Sequence, residues 1–98
     1  ARLRQETAAG VVMANVPDLT VLPRFQLFPD PEVTRERVTA FNDAIARQTA
    51  ARNIPLVDLY SGQYAANWDY VSIDGFHPSN DGHAKIAELY LRILLNAL

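Results

Sequence analysis

The sequence LVDLY at residues 56–60 is a short apolar run of the kind that forms a buried β-strand. A similar run, VVMANV at residues 11–16, is rich in β-branched residues and lies between Gly10 and Pro17, as expected for a strand buried on both faces. Between these runs, apolar residues fall on one face of a predicted helix, at Val38, Phe41, Ile45 and Thr49. A strand, a helix and a strand in this order close as a right-handed parallel βαβ unit. The sequence therefore predicts an α/β fold with a parallel sheet.

The predicted helix boundaries rest on capping residues. Asp30 is a candidate N-cap with Pro31 in the first helical position, where a missing N–H costs nothing, and this helix is predicted to end near Arg52. Ser79 or Asn80 is a candidate N-cap for a last helix. The predicted buried face of the last helix contains Ile86, Leu89, Tyr90, Ile93, Leu94 and Ala97. This order of elements is typical of a three-layer α/β fold, in which two strands cannot be the whole sheet.

Two long loops complete the pattern. Residues 17–31 contain most of the prolines of the chain, with bulky apolar residues between them, so this loop is expected to pack against the core. Residues 61–81 are predicted to be irregular, with one helical turn near residues 63–67. In this second loop Trp68, Tyr64 and Tyr70 are expected to bury ring area and so anchor the loop.

The composition is that of a globular protein. Apolar residues make up 49% and charged residues 20% of the 98 residues, far from the pattern of a disordered chain. The net charge of −2 and the single lysine, Lys85, offer no basic surface for nucleic acid. No apolar run approaches the roughly 20 residues that span a bilayer. Because there is no cysteine, disulfides and thiolate metal sites are excluded, and the sequence leaves the cellular location open.

The first residues, Ala1 to Ala9, are good helix formers without an N-cap or a signal-peptide pattern, and they stop at Gly10. This pattern is expected for the last turns of a helix that begins earlier, so we interpret the chain as a fragment of a longer protein. Two strands alone would leave an unpaired sheet edge. We therefore expect the missing N-terminal half or a second copy of the chain to cover that edge.

The residues best suited to chemistry lie in the segment Ile73-Asp-Gly-Phe-His-Pro78. An Asp and a His three residues apart in a tight loop can bring the carboxylate of Asp74 onto Nδ1 of His77, which leaves Nε2 free as a base. The same spacing also fits a structural loop in which the Asp makes an Asx-turn and the His fills space. A metal site formed by these two residues with Asp81 and His83 fits none of the usual ligand spacings, so neither a metal nor a cofactor is expected.

The segment Asp74-Gly-Phe-His77-Pro78, with Gly82 after it, resembles the last block of the SGNH hydrolases, the GDSL esterase and lipase family. Residues 11–25 (VVMANVPDLTVLPRF) are similar to the strand and proline loop after the family's third block. Residues 41–61 (FNDAIARQTAARNIPLVDLYS) are similar to the helix and strand before its last block. The resemblance implies a flavodoxin-like three-layer α/β/α sandwich with a parallel sheet, of which this chain is the C-terminal βαβα portion.

The resemblance also implies a function. It makes Asp74 and His77 the acid and base of a Ser-His-Asp triad that acts on a small ester or lipid-like substrate. By the same resemblance, the nucleophilic serine lies in a GDS segment, and the oxyanion glycine and asparagine lie in two further blocks, all ahead of residue 1. The serines of the chain are in neither a G-D-S nor a G-x-S-x-G setting, at Ser61, Ser72 and Ser79.

Three polar residues near these motifs have other roles in this interpretation. Ser72 is close to Asp74 in sequence, but in an extended loop the two side chains should point in different directions. Asn15 is interpreted as a loop-forming residue at the end of a strand. Asp58 either caps the chain after its strand or pairs with an arginine.

The sequence supports two functions. The first is ester hydrolysis, in which His77 is the base and Asp74 stabilises its charge. The alternative is a non-catalytic α/β binding or structural module that pairs with another chain. Because the nucleophile and the oxyanion donors are not among these residues, the isolated chain is expected to be inactive.

Overall fold

A computed structural model describes residues 10–97 of the chain. The regular elements of this part are strand β1 (Met13–Ala14), helix α1 (Pro23–Leu27), helix α2 (Arg35–Ala51), strand β2 (Leu56–Val57) and helix α3 (Asn80–Ala97). Single 3₁₀ turns are formed by Leu19–Val21, Tyr64–Ala66 and Trp68–Tyr70. The predicted helix end at residues 1–9 and the predicted burial of the Ala97 side chain lie outside the described residues.

β1 and β2 form a two-stranded parallel sheet, in agreement with the predicted α/β class. The N–H groups of Met13 and Asn15 donate to the carbonyls of Pro55 and Val57, each at 3.1 Å. Both strands are shorter than predicted. The N–H of Leu59 donates to Oδ1 of Asn15 at 2.7 Å, so a side chain replaces the backbone partner and the ladder ends.

The register of the sheet pairs Met13 with Leu56 and Ala14 with Val57. Val57 is buried, with 1% of its surface exposed, whereas Met13 is 44% exposed. The prediction that both strands are buried on both faces is therefore wrong for β1. The reason is that no layer covers Met13 within residues 10–97.

Helix α2 begins later than predicted. Asp30 accepts a hydrogen bond from the N–H of Glu32 at 2.8 Å and so forms an Asx-turn instead of an N-cap. The N-cap is Thr34, whose hydroxyl oxygen accepts from the N–H of Arg37 at 3.2 Å. The predicted C-terminal end is confirmed, since the helix ends at Ala51.

The buried face of α2 is rotated from the prediction. Asn42 accepts from the N–H of Val16 and donates to its carbonyl, each at 2.8 Å, so this amide binds α2 to the chain after β1. The face that meets the sheet is therefore centred on positions spaced by four, three and four residues: Val38, Asn42, Ile45 and Thr49. Phe41 lies off this face and is 62% exposed, which corrects its predicted burial.

Helix α3 begins at Asn80, so of the two predicted N-cap candidates Ser79 is the cap. The hydroxyl oxygen of Ser79 accepts from the N–H of Gly82 at 3.1 Å. Leu94 belongs to the predicted buried face but is 45% exposed. None of the helices in the described part is long and apolar enough to cross a membrane.

An apolar pocket of about 220 Å³, partly open to solvent, lies between the loops and α3. Its lining includes Leu19, Leu22, Leu59, Tyr70, Ile86 and Leu89. Tyr64 also contributes to this lining, whereas Trp68 is 61% exposed, so the predicted anchoring role holds for the tyrosines and is wrong for the tryptophan.

Helix α1 was not predicted. It forms because Pro23 stands in its first turn, where proline is well tolerated.

Candidate active site

The segment between the last 3₁₀ turn and α3, residues 71–78, closes on itself and is called the Asp-His loop below. Val71 and Pro78 form an antiparallel bridge at its base. Inside the bridge, the N–H of Ser72 donates to the carbonyl of His77 at 2.8 Å. The loop is therefore held at both ends. Within it Gly75 is buried, whereas the side chains of Ile73, Asp74, Phe76 and His77 are exposed to solvent.

Asp74 uses its two carboxylate oxygens differently. Oδ1 accepts from the N–H groups of Phe76 and His77, each at 2.9 Å, which is the Asx-turn expected of a structural loop. Oδ2 lies 2.5 Å from Nδ1 of His77, the contact that the spacing predicted. Both contacts expected of this spacing are thus present on one side chain. Oδ1 makes the Asx-turn of a structural loop, and Oδ2 makes the contact with His77 that the functional interpretation predicts.

The hydrogen bonds around Asp74 favour its ionised carboxylate. The hydrogen bond from His77, followed by those from the backbone N–H groups, holds the pKa of the Asp74 carboxyl well below its ordinary value of 3.8. An ionised carboxylate only accepts hydrogen bonds, so Nδ1 of His77 is the donor in this contact and Nε2 is not engaged in it. The His77 side chain is 71% exposed, which leaves Nε2 accessible to another group.

Gly75 permits the turn of the loop. Its φ is 74°, a conformation that side chains with a Cβ rarely adopt. Its carbonyl accepts from the N–H of Arg24 at 3.1 Å, so α1 is docked directly on the loop. A Cβ at Gly75 would lie 2.9 Å from that nitrogen, which leaves no room for another residue type.

Two aromatic rings link α1 to the imidazole. Phe25 meets Phe76 edge to face, with ring centroids 6.1 Å apart, and Phe76 meets His77 in the same way at 5.1 Å. These edge-to-face contacts are favourable arrangements for aromatic rings. They connect the imidazole through Phe76 to α1, an element that the sequence did not reveal.

Ser72 does not behave as predicted. Its hydroxyl lies 3.0 Å from Oδ1 of Asp74 and 2.9 Å from the carbonyl oxygen of His77, whereas its side chain was expected to point away from Asp74. The tight closure of the loop at its base brings these side chains together. Neither acceptor is Nε2 of His77, so the geometry does not prepare Ser72 as a nucleophile.

The polar residues at the ends of the strands are structural. Nδ2 of Asn15 donates to Oδ1 of Asp58 at 2.9 Å, and the same oxygen accepts from the N–H groups of Tyr60 and Ser61, each at 3.0 Å. Burial raises the pKa of Asp58, but hydrogen bonds from Ser61 and Asn15 outweigh it and lower the value to about 2. Of the two predicted roles, Asp58 therefore caps the chain after β2.

Asp18 is a buried residue that the sequence analysis missed. Its side chain is fully buried, and Nη2 of Arg35 lies 3.1 Å from Oδ2. Burial raises the pKa of Asp18, but hydrogen bonds from Thr20 outweigh this effect and lower it. The arrangement ties the chain after β1 to α2. Only the position of Asp18 directly after Pro17 could have suggested a cap.

An open groove of about 360 Å³ lies beside Asp74. Its apolar lining is largely solvent-exposed and includes Leu27, Phe28, Trp68 and Ile73. His83, the other histidine, is exposed in the first turn of α3. Within residues 10–97 there is no group of three or more side chains that could hold a metal ion.

Comparison with known protein families gives a match that includes the Asp-His loop. No curated protein and no solved structure matches the chain. The sequence model of the GDSL-like Lipase/Acylhydrolase family matches residues 1–85, which include β1, α1, α2, β2 and the whole Asp-His loop. The match covers most of the chain and contains both Asp74 and His77. The chain therefore belongs to the GDSL-like lipase/acylhydrolase family.

Proposed function

We propose that the protein hydrolyses esters by a Ser-His-Asp triad to which this chain contributes Asp74 and His77. The observation that carries the proposal is the 2.5 Å contact between Oδ2 of Asp74 and Nδ1 of His77, with the ring otherwise open to solvent. Membership of the GDSL-like family supports acyl hydrolysis as the general reaction class.

In the proposed mechanism, Nε2 of His77 removes the proton of a serine hydroxyl as its oxygen attacks the ester carbonyl. The imidazolium then gives this proton to the alkoxide that leaves, and an acyl-enzyme remains. A water molecule, deprotonated by the same nitrogen, then attacks the acyl-enzyme. As the acid leaves, the imidazolium returns this proton to the serine oxygen, which restores the hydroxyl and the free base. Asp74 stays ionised throughout, holds Nδ1–H and stabilises the positive charge of the ring.

We further propose that the serine comes from a GDS segment ahead of residue 1, in the N-terminal part of a single three-layer sandwich domain. The exposed side of β1 supports this assignment. The N–H groups of Met13 and Asn15 bond to β2, so the backbone groups of Ala14 between them face away from the described sheet, where a further strand could pair. This chain would then be the C-terminal βαβα portion of the domain.

The groove beside Asp74 supports a small ester or lipid-like substrate. The groove is lined by Leu27, Phe28 and Trp68 and also by Asp74, so it offers apolar contact area beside the Asp74 carboxylate. Apolar lining with a few polar groups at one end is common in binding sites for small molecules. An apolar acyl chain on this lining would be bound next to the proposed reacting groups.

The proposal is tested by His77→Ala in the full protein, with a short-chain p-nitrophenyl ester as substrate. We expect kcat to fall by about three to six powers of ten, because the base of a triad is lost. His83→Ala is the matched control, since His83 is also exposed but lies outside the Asp-His loop. Equal activity in wild type and His77→Ala would refute the triad. A parent protein that binds a partner chain without any turnover would support the non-catalytic module instead.

A further inference from the structure

The Ser72 hydroxyl lies in the Asp-His loop but has no part in the proposed chemistry. It is 3.0 Å from Oδ1 of Asp74 and 2.9 Å from the carbonyl oxygen of His77. The backbone N–H of Ser72 donates to that same carbonyl at 2.8 Å. One residue is therefore in contact with the side chain of Asp74 and with the backbone of His77.

The Ser72 hydroxyl has one proton, which it shares between Oδ1 of Asp74 and the carbonyl oxygen of His77, and it thereby adds a donor to the carboxylate. The other two donors to Oδ1 are the N–H groups of Phe76 and His77, which both follow Asp74 in the chain. Ser72 precedes Asp74 and approaches from the other end of the loop. Donors from both ends restrict rotation of the carboxylate, and this rotation decides whether Oδ2 faces Nδ1 of His77.

We propose that Ser72 is a positioning residue, whose hydroxyl holds the Asp74 carboxylate in the rotation that places Oδ2 on Nδ1 of His77. This inference rests on the proposed function. Ser72 is not proposed to contact the substrate, because the two acceptors near its hydroxyl are Oδ1 of Asp74 and the backbone carbonyl of His77. Residues that orient a reacting group in this way are needed to keep it within the narrow range of productive geometry.

The kinetic test compares Ser72→Ala and Ser72→Thr in the full protein. Loss of a hydrogen bond to a charged group should lower kcat by about 10-fold, while KM changes by less than about two-fold. Ser72→Thr keeps the hydroxyl and should restore most of kcat. Ser61→Ala is the matched control, because Ser61 also hydrogen-bonds an aspartate, Asp58, outside the loop. Its kcat should stay at the wild-type value.

A second measurement does not depend on activity. In proton NMR, the Nδ1 proton of His77 should give a downfield signal that is protected from exchange in the wild type. It should exchange faster in Ser72→Ala and recover in Ser72→Thr. If Ser72→Ala does not fold, Ser72→Val replaces it, because valine and threonine have the same shape and differ in the hydroxyl.

The outcomes separate this inference from the proposed function. An unchanged Nδ1 signal in Ser72→Ala would overturn the positioning role, whether or not kcat falls. A faster-exchanging signal with a lower kcat, both recovered by threonine, supports it. If His77→Ala keeps full activity, the proposed function fails, and the NMR comparison still decides whether Ser72 positions the carboxylate.

Discussion

Three aspartates of this chain have a lowered pKa, and their carboxylates have different roles in the structure. Asp18 ties a loop to α2, Asp58 caps the chain after β2, and Asp74 holds the His77 ring. All three are therefore expected to be ionised near neutral pH, and in each the folded state binds a proton less readily than the unfolded state. Protonation of these groups weakens the folded protein.

The pH dependence of stability follows from Asp58. Its folded-state pKa of about 2 lies below the ordinary 3.8, so its contribution is complete above pH 3.8 and is lost as the pH falls towards 2. We expect Asp58→Asn to lower the free energy of unfolding by about 1 kcal/mol at pH 7, a value discounted for the exposure of this residue. The difference from the wild type should vanish near pH 2.

Thermal unfolding of the full protein over a pH series measures this difference. Asp43→Asn is the control, because Asp43 is an exposed residue of α2. A difference between wild type and Asp58→Asn that stays constant down to pH 2 would contradict the assignment.

At the scale of residues, local sequence spacing predicted the contact between Asp74 and His77 because both lie in one turn. The roles of Ser72 and Asp18 could not be predicted in the same way. The Ser72 contact depends on how tightly the base of the loop closes. The partner of Asp18 is Arg35, which is 17 residues away in the sequence. Distances of this kind are set by tertiary packing.

At the scale of elements, α1 matters because it supports the Asp-His loop. A helix of 5 residues has little stability of its own, so its contacts with the loop must hold it in place. These contacts are the hydrogen bond from Arg24 to Gly75 and the ring contact of Phe25 with Phe76. The loop and the helix therefore stabilise each other.

Gly75→Ala tests this mutual support. We expect a loss of about 1–2 kcal/mol of stability from the left-handed backbone alone, with a further loss from the contact with Arg24. The activity of the full protein should fall as well, since the loop must move to accommodate the Cβ. Thermal unfolding and ester hydrolysis measure the two effects.

Gly10→Ala is the matched control for this substitution, because a Cβ at Gly10 would meet nothing within 4 Å. It should leave both the unfolding temperature and the activity close to wild type. A Gly75→Ala variant as stable and active as Gly10→Ala would show that the loop does not depend on α1.

The order of strand, helix, strand and last helix could be predicted from apolar periodicity. The start of α2 could not, because Asp30 and Thr34 are both good N-caps and only the folded chain decides between them. Helix α1 was hidden by the prolines around it. The exposure of Phe41 could not be predicted from apolar periodicity either. Helix α2 does have an apolar face, but Asn42, a polar residue, lies at the centre of its contact with the sheet.

At the scale of the whole molecule, the described chain leaves much apolar surface uncovered. Exposed apolar side chains lie on β1, α2 and α3, at Met13, Phe41, Leu91, Leu94 and Leu95. The radius of gyration is 15.0 Å, compared with about 13 Å for a compact chain of this length. A two-stranded sheet in a chain this small is marginally stable. These features agree with the proposal that further chain packs here.

We therefore expect the isolated 98-residue chain to associate with itself or to bind a dye for exposed apolar surface. Size-exclusion chromatography with light scattering measures the association. Addition of a separately produced N-terminal part should suppress both behaviours. A cooperatively folded monomer of 10.9 kDa without dye binding would contradict this expectation.

The closure of the Asp-His loop has a consequence for the order of assembly. Each hydrogen bond given above that orients the carboxylate and the imidazole joins residues at most five positions apart. Contacts of such short range can form early in folding, and the helix that supports them, α1, is part of the same chain. If the protein were cut into its N-terminal and C-terminal halves, Asp74 and His77 would thus already be correctly placed relative to each other before the two halves bind. Mixing the halves would then restore turnover at the speed of their docking, with no slow rearrangement of the loop afterwards.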